Sequence, residues 1–179
     1  MASSELARRA RWAYEKGRLV RALPLGGYGG VLVACAVALQ SRAGPGTLAV
    51  GAIFTALLVG YGWRGGVLAR AVVPGVLGGV MPLLVPPLVV ASGHLCASSS
   101  CRAFCLWACV GGGVLAGVVI TRAALAVPSE GRGRFVLAAG VLATLCGALT
   151  CVLYGASGVI GVGLGLALAS APGLVLRRA

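Results

Sequence analysis

The sequence predicts an all-α integral membrane protein, a six-transmembrane-helix bundle preceded by an N-terminal amphipathic cytosolic helix. Three observations lead there. Of 179 residues, 59% are hydrophobic and 10% charged, with a mean hydropathy of +1.02, whereas a soluble domain is about a quarter charged. Thirty residues are glycine, a burden for a water-soluble helical core but a means of close helix approach in a membrane. Finally, the apolar segments run continuously without in/out alternation, which selects helices over a closed β-barrel.

A helix that crosses ~30 Å of hydrocarbon at ~1.5 Å per residue needs about 20 apolar residues. Six stretches fit: Ala22–Gln40, Thr47–Trp63, Ala71–Ala91, Ala103–Thr121, Phe135–Leu153 and Val159–Leu176. None contains Asp, Glu, Lys, Arg or His. The chain therefore divides into a leading segment, 1–21, and a membrane domain, 22–179, with short connections between spans.

The leading segment is basic. Ser3 or Ser4 can cap a helix start, Glu5 lies in its first turn, and Leu6, Ala10, Ala13, Leu19 and Leu23 recur at loosely helical spacing. That pattern predicts an interfacial amphipathic helix, separate from the first span, with Trp12 and Tyr14 at headgroup level. Anchoring and orientation account for it, and docking of a cytosolic partner is the sharper reading.

Orientation follows from the basic residues, which are retained on the cytoplasmic side. One side holds Arg8, Arg9, Arg11, Lys16, Arg18, Arg21, Arg64, Arg70, Arg122, Arg132, Arg134, Arg177 and Arg178; the other holds Arg42 and Arg102. Both termini are thus expected in the cytoplasm of a bacterial inner membrane. The longest connections, Ser92–Arg102 and Arg122–Arg134, are placed outside and inside respectively. The net charge of +12 then lies along the inner face, where membrane lipids with anionic headgroups attract it. No direct nucleic-acid partner is needed to explain it.

In the first span, Leu32-Val33-Ala34-Cys35 resembles a lipoprotein cleavage site. The long charged lead and the interruption by Pro24 and Gly26-Gly27-Tyr28-Gly29-Gly30 fit a secretory signal poorly, so Cys35 is read as a packing cysteine. Small residues pair at four-residue spacing in Gly26/Gly30, Gly75/Gly79, Gly113/Gly117 and Gly161/Gly165. Such pairs serve helix crossings inside a bundle or a homo-oligomer interface. The third span holds Pro74, Pro82, Pro86 and Pro87. Each proline removes a backbone donor, so its outer half is expected to kink or unwind.

Chemistry concentrates in seven cysteines and one histidine. On this topology all seven cysteines fall in the outer half of the membrane or above it. The run His94-x-Cys96-x4-Cys101-x3-Cys105-x3-Cys109 offers five groups suited to zinc or copper, and Cys101, Cys105 and Cys109 share one helix face if the helix reaches back to Cys101. An oxidising exterior makes disulfides a direct competitor for the same sulfurs. Simple packing is a third reading, and it leads for Cys35, Cys146 and Cys151.

Other classes are poorly served. There is no Asp, and the only acids are Glu5, Glu15 and Glu130, so acid/base catalysis and proton-coupled transport lack their usual groups. There is no Cys-x-x-Cys for thiol–disulfide exchange and no Gly-x-Ser-x-Gly for a hydrolase. No enzymatic activity is expected.

Six spans, a basic N-terminal helix, and the small-residue stretch from Cys146-Gly147-Ala148-Leu149 to Leu176-Arg177-Arg178 resemble the multi-span bacterial membrane anti-sigma factors of the NrsF-like kind. The zinc-type anti-sigma signature His-x3-Cys-x2-Cys is absent. The resemblance implies a negative regulator of transcription that holds a cytosolic sigma factor, here through residues 1–21. The expectation is a polytopic sensor responding to oxidant or metal through outer-side cysteines. The alternative is a small channel or soft-metal-ion carrier.

Overall fold

The computed structural model describes residues 2–39, 44–91, 99–151 and 156–175. Six α-helices account for nearly all of them: α1 (Ala2–Leu39), α2 (Pro45–Arg64), α3 (Gly66–Ala91), α4 (Ser99–Ala124), α5 (Ser129–Cys151) and α6 (Ala156–Val175). Among the described residues, four helical segments are long and apolar enough to cross a membrane: 5–39, 45–64, 66–84 and 129–150.

The described part of each predicted apolar stretch falls on one helix, yet most of the helices extend past it at one end; Gln40, Val152, Leu153 and Leu176 lie outside the described residues. Arg70, Arg122, Arg132 and Arg134, expected in connections, lie inside α3, α4 and α5. Hydropathy marks where an apolar run stops, and arginine is a good helix former, so the helix continues beyond that point. The expected inner connection Arg122–Arg134 shrinks to the turn between Ala124 and Ser129, closed by hydrogen bonds from Leu125, Ala126 and Val127 N–H to Arg122, Ala123 and Ala124 carbonyls. Between α2 and α3 only Gly65 is non-helical. Gly65 and Gly66 have φ of 70° and 61°, values that favour glycine, and this pair permits the abrupt reversal.

Two further expectations change. The break predicted between segment 1–21 and the first span is absent, because α1 runs unbroken for 38 residues, about 57 Å if straight. Pro24 lies inside it without ending it. Likewise α3 stays helical to Ala91 through all four of its prolines. The orphaned carbonyl that would mark an opening at Pro87 belongs to Leu83, and the Thr150 hydroxyl of α5 donates to it at 3.1 Å.

The most extensive helix pairs are α3 with α5 and α4 with α6. Glycines set both. A Cβ on Gly75 would stand 2.9 Å from the Ala139 carbonyl oxygen, and one on Gly79 2.9 Å from that of Ala143. Both contacts advance in the same chain direction, so α3 and α5 run parallel. Gly113 meets Val162, and Gly117 meets Leu166 and Ala169, which makes α4 and α6 a second parallel pair. The pairs join where Gly78 faces Ala116 and Gly112 faces Pro82. Small-residue spacing is thus used internally at Gly75/Gly79 and Gly113/Gly117, as close backbone approach requires.

The α1 helix packs chiefly on α2, with Gly29 against Thr55, Gly51 against Val33 and Gly62 against Ala22 and Leu25. The interior is apolar. Phe54, Leu58, Leu142 and Leu149 fill one cluster with Ala36 and Cys146, while Ile120 and Phe135 fill another among alanines. Among the described residues, the buried polar ones are Thr47 and Thr150.

Candidate functional site

The cysteine column of α4 is set by the helix itself. Because α4 begins at Ser99, Cys101, Cys105 and Cys109 follow one another at turn spacing on one helical stretch, as the sequence required. Cys109 is 2% exposed and packs with Val162 of α6. This is the interface that Gly113 and Gly165 tighten a turn further along, where a Cβ on Gly165 would meet the Val110 carbonyl and the Val114 N–H. A change of bulk or charge at Cys109 therefore acts directly on the α4–α6 crossing. His94 and Cys96 lie outside the described residues, as do the side chains of Cys101, Cys105 and Cys151.

Among the described residues no group of three metal-ligating side chains forms. Cys35, Cys109 and Cys146 form no disulfide; Cys35 is exposed and the other two are buried. Cys146 is buried in the α3–α5 crossing, where Gly79 lacks the Cβ that its own Cβ would strike. That is packing, as expected. Cys35 is exposed on α1, so the packing reading fails there.

At the opposite end, arginines do structural work that sequence alone did not reveal. Arg132 donates from Nε to the Ala124 carbonyl at 3.0 Å and from a terminal nitrogen to the Val127 carbonyl at 3.1 Å. It thereby ties the end of α4 to the start of α5, a cation on the last carbonyl of a helix and on one in the turn that follows. Arg18 does the same for α2, donating to the Arg64 carbonyl while its guanidinium lies 5.6 Å from the Tyr14 ring. Two residues earlier Lys16 sits 5.1 Å from the Trp12 ring. Trp12, Glu15, Lys16 and Leu19 line a groove with Trp63 of α2. The α1 helix is thus latched to α2 at Arg64, while residues 5–17 are exposed. Glu5 pairs with Arg9 at 2.9 Å on that exposed stretch.

The site has two poles, Cys109 of α4 packed against α6 and an exposed basic helix held by α2. No protein-family model, no characterised protein and no solved structure matches the chain.

Proposed function

We propose that this protein is a six-span bacterial inner-membrane regulator with both termini cytoplasmic, which passes an oxidant or metal signal from its outer cysteines to a cytosolic protein bound by α1. Counting α4 and α6 with the four apolar spans is supported by their lengths, 26 and 20 residues, or ~30 Å or more each. The observation that carries the reading is the continuity of α1. One continuous helix joins the exposed basic segment to a membrane span, so a shift of that span relative to α2 is passed to the segment.

The apolar filling of the interior favours signalling over passage of ions. Crossings built on glycine against backbone suit a switch, because tightly packed interfaces tend to adopt discrete arrangements in place of graded deformation. The chemical step on this reading is oxidation of two thiols among Cys96, Cys101, Cys105 and Cys109 by a two-electron oxidant. With hydrogen peroxide, two S–H bonds and the O–O bond break, one S–S bond forms, and two waters leave. Zinc or copper bound by the same sulfurs and His94 would bias the same crossing, by as much as its affinity differs between the two packings. The partner on this reading is an anti-sigma factor's client, a cytosolic sigma factor.

The test replaces Cys96, Cys101 and Cys105 with Ser, leaving the buried Cys109, and follows sigma-dependent transcription with peroxide or zinc. Insertion should be normal and the response lost. An unchanged response rejects the outer-thiol sensor, and ion flux into vesicles holding the purified protein alone would favour the carrier reading instead.

A further inference from the structure

Two grooves flank the parallel α3–α5 pair at the end where both helices begin. The first, of 480 Å³, is lined by Tyr61, Leu68, Arg134, Leu137 and Val141 among others. The second, of 470 Å³, is lined by Arg70, Val73, Leu77, Val119 and Ala126 among others. Each wall repeats one pattern. Arg70 is followed along α3 by Val73, Pro74 and Leu77, and Arg134 along α5 by Leu137, Ala138 and Val141. These are the i, i+3, i+4 and i+7 positions of one helix face.

The register of the crossing puts the two arginines level. Gly75 meets Ala139, and five residues before each of these stand Arg70 and Arg134. Both arginines are exposed, and the ion pair among the described residues is Arg9 with Glu5, on another helix. The nearest acid in sequence to either, Glu130, does not line a groove. Arg132, by contrast, is committed to the Ala124 and Val127 carbonyls.

We infer that each groove seats one anionic phospholipid, with the headgroup phosphate on Arg70 or Arg134 and the upper part of an acyl chain along the apolar residues that follow. Charge and shape select this occupant. A cation at the end of an apolar helix sits at headgroup depth, and the seven residues from arginine to Leu77 or Val141 run about 10 Å into the ~30 Å hydrocarbon. The walls beyond the arginine present exposed Val73, Leu77, Leu137 and Val141, which match an acyl chain and offer nothing to a water-soluble anion. Arginine binds phosphate through paired N–H donors. Because the grooves border both helices of the α3–α5 crossing, bound lipid would stabilise it. Lipid binding at these grooves is independent of the regulatory reading.

Native mass spectrometry of the purified full chain in detergent, titrated with dioleoyl-phosphatidylglycerol, tests it. Two saturable adducts are expected, and dioleoyl-phosphatidylcholine at the same concentration should give none. Arg70→Gln and Arg134→Gln should each weaken one adduct about fivefold, the ratio equivalent to ~1 kcal/mol per basic residue at an anionic surface. Arg70→Lys and Arg134→Lys should keep more of the binding than the Gln variants, and Val141→Trp, which fills the first groove, should remove one adduct with its arginine intact. Equal binding of phosphatidylcholine, Gln variants indistinguishable from the original chain, or displacement by millimolar inorganic phosphate would each overturn the proposal.

Discussion

The Thr150 hydroxyl of α5 donates to the Leu83 carbonyl of α3 at 3.1 Å, and that carbonyl is the one left without a helical donor by Pro87, four residues on. A buried polar side chain and a proline in mid-helix therefore explain each other. Thr150 also lies 3.4 Å from the Gly147 carbonyl of its own helix, so its hydroxyl is satisfied while fully enclosed.

Thr150→Val should accordingly destabilise the bundle by about 1 kcal/mol, the scale of an interhelical hydrogen bond in a membrane protein. In the Pro87→Ala background the same change should cost less, because an alanine in place of the proline supplies a backbone N–H to the Leu83 carbonyl. A double-mutant cycle read by unfolding in mixed micelles checks this; additive effects would show that the two residues are uncoupled.

Glycines at the crossings should be sharply unequal. Gly75→Ala drives a methyl to within 2.9 Å of the Ala139 carbonyl oxygen, where backbone must move, at a cost of about 1–3 kcal/mol. Gly163→Ala meets nothing within 4 Å and should be neutral or gain up to ~1 kcal/mol from helix propensity. Thermal unfolding of the two variants side by side would separate them.

Arg132→Gln removes a charged donor from two carbonyls. A loss of about 1.5–3 kcal/mol is expected, with faster amide hydrogen exchange at the turn between α4 and α5. If exchange there is unaltered, the arginine does not hold that turn.

Thiol accessibility should follow burial. In detergent without denaturant, a small maleimide should label exposed Cys35 well before Cys109 and Cys146, which are both buried. Alkylation mapped by mass spectrometry before and after adding sodium dodecyl sulfate provides the measurement.

Residue patterning made much of the architecture legible. The described part of each apolar stretch, from Ala22–Gln40 to Val159–Leu176, sits on one helix, because an apolar run of span length can satisfy its backbone only as a helix. The spacing of Cys101, Cys105 and Cys109 also carried over, since a single helix fixes it. Helix ends were less legible. Arg70 and Arg134 read as connection because charge marks the edge of the hydrocarbon, whereas a helix ends where capping and turn geometry end it, as at Gly65. The role of Cys109 was hidden for a different reason. Its neighbour Val162 is more than fifty residues away in sequence, and no local pattern says which helix faces which.

Composition and periodicity by themselves determined that the chain is helical, apolar and basic at one end, because these depend only on solvation and the helical repeat. Pairing was decided by tertiary structure. The parallel α3–α5 and α4–α6 crossings, the Thr150 bond to Leu83 and the level placement of Arg70 and Arg134 all depend on which glycine lets which backbone approach. That is a property of two surfaces fitted together, and neither surface encodes it alone.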